Sequence, residues 1–113
     1  MSKMVGEQTL MRIFISENDR WERRPLYEAL VELFRLEGLA GATVLKGATG
    51  FGASSVTHTD KILRLSNDLP VVIEVVDSQE KIDAVLPKID GMFSGGMITL
   101  EKAHVICYRG EDQ

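Results

Sequence analysis

The feature that most constrains this chain is a pair of strand-like runs that are apolar on both faces. In Thr9 to Ser16, Met11, Ile13 and Ile15 share one face, while Leu10 and Phe14 share the other with Arg12. Leu69 to Val76 repeats the pattern, with Val71, Ile73 and Val75 against Val72, Glu74 and Val76. Successive side chains of a strand point to opposite faces, so a sheet with one wetted face alternates apolar with polar. These two runs call for cover on both sides. The chain has 113 residues, one domain's length, and a small domain has few elements with which to supply that cover.

The rest of the pattern supplies two helices. Leu26, Leu30, Leu33 and Phe34 follow Pro25 at helical spacing. Proline is tolerated in a first turn because it has no N–H to lose. Gly38 is a natural stop, so the first helix is expected over about Pro25 to Glu37. Asp77 and Ser78 are good cap residues, with Glu80 placed nearly as in a capping box. Ile82, Val85, Leu86 and Ile89 trace the second helical stripe, with Pro87 inside it and Gly91, Gly95 and Gly96 ending it. Ala42 to Ala48 reads as a second strand and Ala103 to Tyr108 as the last, with Met97 to Leu100 extended or turn-like. Glu17 to Arg24 reads as a polar connector, and Phe51 to Asp68 as a long irregular stretch. The order strand, helix, strand, strand, helix, strand is that of the α+β ferredoxin-like (β-α-β-β-α-β) fold. Its four-stranded antiparallel sheet carries both helices on one face, in a single domain whose core covers about residues 9–108.

Two helices on one face leave the other open. Leu10, Phe14, Val72, Val76 and Ile106 are assigned to that face, and burying each is worth roughly 1.5–3 kcal/mol before association costs. Large exposed apolar patches mark interfaces, so copies of the chain are expected to associate there. The formal charge of −4 speaks against nucleic acid, which favours a basic face, and against an anionic membrane surface. No apolar run approaches the ~20 residues of a spanning helix, and the first residues lack the apolar stretch of a secretory signal. The one cysteine, Cys107, allows no intrachain disulfide. A cytoplasmic location is the simplest expectation.

Several ordered motifs resemble one family. They are Arg24-Pro25-Leu26-Tyr27-Glu28-Ala29-Leu30-Val31, Gly41-Ala42-Thr43-Val44-Leu45-Lys46-Gly47, Gly50-Phe51-Gly52-Ala53-Ser54-Ser55, Leu69 to Asp77, and Gly95-Gly96-Met97-Ile98-Thr99-Leu100-Glu101. Together they are similar to the PII-like family of bacteria and archaea catalogued as domain of unknown function one hundred and ninety. The resemblance implies a homotrimer with clefts between subunits, an adenine nucleotide as ligand, and a long loop after the second strand that touches a regulated partner. By analogy with PII proteins that partner is a membrane transport protein. No cofactor is required by this reading. PII proteins carry a phosphate-binding lysine in the glycine-rich loop after the second helix. Here Gly95 and Gly96 are followed by Met97, the nearest lysine is Lys102, and the last strand ends with one arginine, Arg109. AMP or ADP is therefore easier to accommodate than a triphosphate.

The expected ligand-binding set is Lys46, Gly50, Phe51, Gly52, Ala53, Ser54, Ser55, Arg64, Gly95, Gly96, Met97 and Arg109. Glycines let backbone N–H groups converge on an anion, and serine hydroxyls add donors. Phe51 could stack on a base, though a plain turn with Phe51 in the core fits the same residues. Arg23, Arg24 and Lys61 are further candidate phosphate partners, although most surface cations are merely solvated. Ser54, His58 and Asp60 share one loop and lack the rigid supports of a catalytic triad, so no catalytic residue is assigned. His58 and His104 lack metal-ligand spacing, and no metal site is assigned. Cys107 reads as a small core residue. Two other readings stay open: a small ferredoxin-like enzyme, for which Glu74 and His104 are the evident sheet-borne groups, and a metal-handling trimer.

Overall fold

An eleven-residue strand, β1 (Gly6–Ser16), runs through the middle of the sheet. After it come β2 (Arg20–Trp21), β3 (Arg24–Pro25), α1 (Leu26–Leu36), β4 (Thr43–Lys46), β5 (Pro70–Asp77), α2 (Gln79–Asp90) and β6 (Met97–Val105). The structure is a computed structural model that describes residues 4–52 and 68–110. The main sheet has the order β4-β5-β1-β6, with every neighbouring pair antiparallel. This is the expected α+β ferredoxin-like arrangement. β2 and β3 form a separate two-stranded hairpin.

Strand parity divides the sheet as the sequence requires. Met11, Ile13 and Ile15 of β1 and Val71, Ile73 and Val75 of β5 lie under the helices and join one core with Leu26, Leu30 and Phe34 of α1 and Ile82, Val85 and Ile89 of α2. All are buried. The opposite parity, Leu10, Arg12, Phe14, Val72, Glu74 and Val76, is only half-buried in the isolated chain. Register places Leu10 beside Val76 and Phe14 between Val72 and Met97. Leu45 of β4 extends the same face opposite Val72 and is 48% exposed, and Met97 is 51% exposed.

The helix ends follow local chemistry. Ser78 caps α2 by accepting the Lys81 N–H at 3.2 Å. Asp77, expected to share that role, is instead buried, and its carboxylate accepts the Ala40 N–H at 2.8 Å and the Ser78 N–H at 2.7 Å. α2 runs through Pro87 to Asp90. α1 has Pro25 at its N-cap with no side-chain cap, while its C-terminal turn is closed by the Glu37 N–H on the Leu33 carbonyl.

Three expectations are corrected. The last strand begins at Met97 and ends at Val105, because β6 pairs with β1 over Gly6 to Phe14 and β1 has no partner positions beyond Gly6. Ile106 and Cys107 therefore fall past the strand. Ile106 is 78% exposed and not on the open sheet face, and Cys107 is exposed and not a core residue. The polar connector after β1 contains the β2–β3 hairpin, turned by Glu22 (φ 49°) and Arg23 (φ 76°). Two left-handed residues in a two-residue turn match the twist of the flanking strands, but the usual sequence there is Asn-Gly, so no glycine signals it.

Candidate functional site

One end of the sheet gathers most of the candidate residues. β1 and β4 finish there, and β5, α1 and β6 start there. At its centre is Glu17. One carboxylate oxygen accepts the Leu69 N–H at 3.0 Å, and the other meets Lys46 Nζ at 3.0 Å. The Glu17 N–H in turn donates to the Leu69 carbonyl at 2.9 Å. Glu17 thus holds residues on both sides of the segment 47–68, at the end of β4 and the beginning of β5. Its side chain is 14% exposed, so this carboxylate of the polar connector is enclosed. The hydrogen bond from Leu69 and then that from Lys46 keep the Glu17 carboxyl below its ordinary range, and Glu17 holds the Lys46 ammonium above its own.

Ser16 ties the same end together. Its N–H donates to Asp19 at 3.0 Å, its hydroxyl accepts the Asn18 N–H at 3.0 Å and donates to Asp68, and its carbonyl accepts the Asp19 N–H at 3.1 Å. The Asp19 carbonyl accepts the Leu26 N–H at 2.7 Å, fastening the β2–β3 hairpin to the start of α1.

Of the expected ligand residues, Lys46, Gly50, Phe51, Gly52, Gly95, Gly96 and Met97 belong to this end. Lys46 is spoken for by Glu17. Phe51 is 78% exposed, so the core alternative for it is excluded. Gly50 (φ 146°) lies against Pro70, the first residue of β5. Gly96 (φ 134°) passes so close to β1 that a Cβ there would sit 2.3 Å from the Phe14 carbonyl oxygen. That glycine is required by the fold itself. A Cβ at Gly52 or Gly95 would meet nothing within 4 Å among the described residues. The two glycine segments stand on opposite sides of the β5–β1 pair, roughly two to three strand spacings or 10–15 Å apart.

The structure does not bring Arg109 to this end. β6 carries the chain from Met97 away to Val105, roughly 26 Å of strand, and the segment beyond it returns towards the α1–β4 loop, where the Tyr108 hydroxyl donates to the Ala40 carbonyl at 3.1 Å. Ala53, Ser54, Ser55 and Arg64, together with His58, Asp60 and Lys61, lie outside the described residues. Glu74 and His104 are also kept apart: Glu74 pairs with Arg12 on the open face, whereas His104 sits opposite Glu7 on the other parity. These two sheet-borne groups therefore do not converge.

Sequence reasoning missed one arrangement on the open face. Arg12 Nε donates to Glu74 at 2.9 Å and Arg12 Nη1 to Glu101 at 3.2 Å, joining three strands across a surface otherwise lined by Leu10, Phe14, Val72 and Val76. The bond to Glu74 leads in raising the Arg12 guanidinium above its ordinary value. The visible signal was a single charge at the middle of each apolar stripe, Arg12 and Glu74.

A family model named DUF190 and described as an uncharacterised ACR matches residues 8–105. A UPF0166 protein of Aquifex aeolicus is 40% identical over 102 residues, covering 90% of this chain and 96% of the relative. A UPF0166 protein of Methanocaldococcus jannaschii is 40% identical over 103 residues, covering 90% and 93%. A second Aquifex aeolicus protein of the same name is 37% identical over 99 residues. The chain belongs to the PII-like DUF190 family. Among the described residues no helix is long and apolar enough to cross a membrane.

Proposed function

We propose that this chain is a PII-like regulatory subunit that works in the cytoplasm as a homotrimer and binds an adenine nucleotide, AMP or ADP, between subunits. The observation that carries the reading is the placement of the two glycine segments, at one end of the sheet but on opposite sides of the β5–β1 pair. One copy presents each segment to a different neighbour, so an oligomer closing on the apolar sheet face forms shared clefts. Gly52 and Gly95, where a Cβ would meet no atom of the described residues, are the positions where a ligand would approach the backbone closely. The segment following Phe51, fastened at its base by Glu17, is the part that would answer the ligand and meet a partner protein, a membrane transport protein in the analogous case.

Isothermal titration with AMP, ADP and ATP tests the reading. Saturable binding that falls in Gly52→Val and Gly95→Val, with both variants retaining the native melting temperature, is the expected result. No heat and no thermal shift with any of the three nucleotides contradicts it.

A further inference from the structure

The chain carries a charge of −4, yet among the described residues the cations without a carboxylate partner are gathered mainly in one small element, with Lys81 and Arg109 standing outside it. Residues 20–24 hold three arginines and one glutamate, a local charge of +2. Elsewhere among the described residues, five cations are paired with carboxylates: Arg12, Arg35, Lys46, Lys88 and Lys102. Lys81 donates to the Gly38 carbonyl at 2.8 Å. Arg109 stands at the far end of β6. Arg23 and Arg24 are exposed and have no carboxylate within ion-pair distance in the described structure.

The element that carries them is anchored. Trp21 packs against the hydrophobic core, and Asp19 fastens the hairpin to α1. Arg20 folds back to donate to the Arg23 carbonyl at 2.8 Å, bracing the turn. The turn places Glu22 and Arg23 in left-handed backbone, a conformation costly for side-chain-bearing residues. The hairpin stands at the same end of the sheet as both glycine segments, beside the start of α1, which has no side-chain cap and carries Glu28 in its first turn.

We propose that the β2–β3 hairpin is the phosphate-binding arm of this protein, with Arg23 and Arg24 gripping the phosphate chain of a nucleoside di- or triphosphate and Arg20 holding the turn in place. The inference rests on the nucleotide reading above and adds the cations that the reading lacks, which extends its ligand from AMP or ADP to a triphosphate. Lys46 is neutralised by Glu17, and Met97 follows Gly96 where a lysine would serve. A planar guanidinium fork matches phosphate oxygens in a way that a single ammonium does not.

The test is titration of the purified chain with ATP, ADP, AMP and inorganic pyrophosphate. It compares the native protein, Arg23→Gln/Arg24→Gln, Arg23→Lys/Arg24→Lys and the control Lys102→Gln, each checked by its melting curve. Loss of two charge-assisted contacts should weaken ATP and ADP on the order of ten- to a hundred-fold. AMP should weaken less, and pyrophosphate binding should disappear. The lysine pair should recover part of the loss, Lys102→Gln should change nothing, and the salt dependence should flatten only in the glutamine pair. If ATP binds the native protein and the glutamine pair equally, or if AMP and ATP weaken equally, the hairpin proposal is overturned while nucleotide binding stands. If no adenine nucleotide binds but pyrophosphate binds and is lost in the glutamine pair, the nucleotide reading fails and the hairpin anion site stands. Absence of all binding overturns both.

Discussion

The two faces of the central sheet are built from the same two strands, yet they are different surfaces. On one, Met11, Ile13, Ile73 and Val75 are sealed by two helices into a dry aliphatic core. On the other, Leu10, Phe14, Val72 and Val76 surround an arginine held by two carboxylates and remain partly wetted. The first face is sealed within one chain, and the second stays half-exposed in it. A core needs only volume and apolarity, whereas the open face carries a charged group of fixed register. An ion trio in an apolar surround adds little stability, but it penalises docking in the wrong register, where its charges would be buried unpaired.

Four experiments break or sharpen this contrast. Phe34→Ala empties the sealed side and should cost about 3–5 kcal/mol, read by chemical denaturation. A cost below about 1 kcal/mol would mean that the core collapses easily and the two faces are less distinct than described. Arg12→Ala probes the open side. On a face covered by a second copy it leaves two carboxylates without their cation and should lower the melting temperature and weaken the assembly. On a face that stays wet, the same change should leave both nearly unchanged.

Gly96→Ala should destabilise by about 1–3 kcal/mol, because the new methyl meets the Phe14 carbonyl and the backbone is left-handed. Gly95→Ala should be nearly silent in stability, since its surroundings are open. The smallest effect concerns Glu17. Its folded carboxyl titrates below the ordinary value of 4.5, so the folded state holds fewer protons there than the unfolded chain. Its contribution to stability is complete above 4.5 and is lost as pH falls through the lowered value. Glu17→Gln should therefore flatten the fall in melting temperature as pH drops below 4.5, and an unchanged slope would remove Glu17 from its role as a clamp.

The sequence told most about elements whose periodicity is long. β1, β5 and the two helices were legible because their burial follows one repeat from end to end. The open face was legible too, since Leu10, Phe14, Val72 and Val76 violate the alternation of a half-wetted sheet. Features set by pairing across long separations were not legible. Nothing local tells that β1 stops offering partners at Gly6, so β6 was placed too late and Cys107 was drawn into the core. Nothing local tells that Glu17 meets Lys46 and Leu69. The hairpin was hidden because Glu22 and Arg23 occupy positions where glycine or asparagine would have marked a turn. The glycine segments were read correctly as breaks, but only coordinates separate Gly96, which the fold requires, from Gly95, where a Cβ would meet no atom of the described residues.

The most direct test of the account is the mass of the particle in solution. Sedimentation equilibrium of the purified chain at low micromolar concentration should give three copies, and Phe14→Glu, which sets a charge on the open face and leaves the sealed core untouched, should give a folded single copy with unchanged circular dichroism. A native chain that sediments as one copy at that concentration contradicts it.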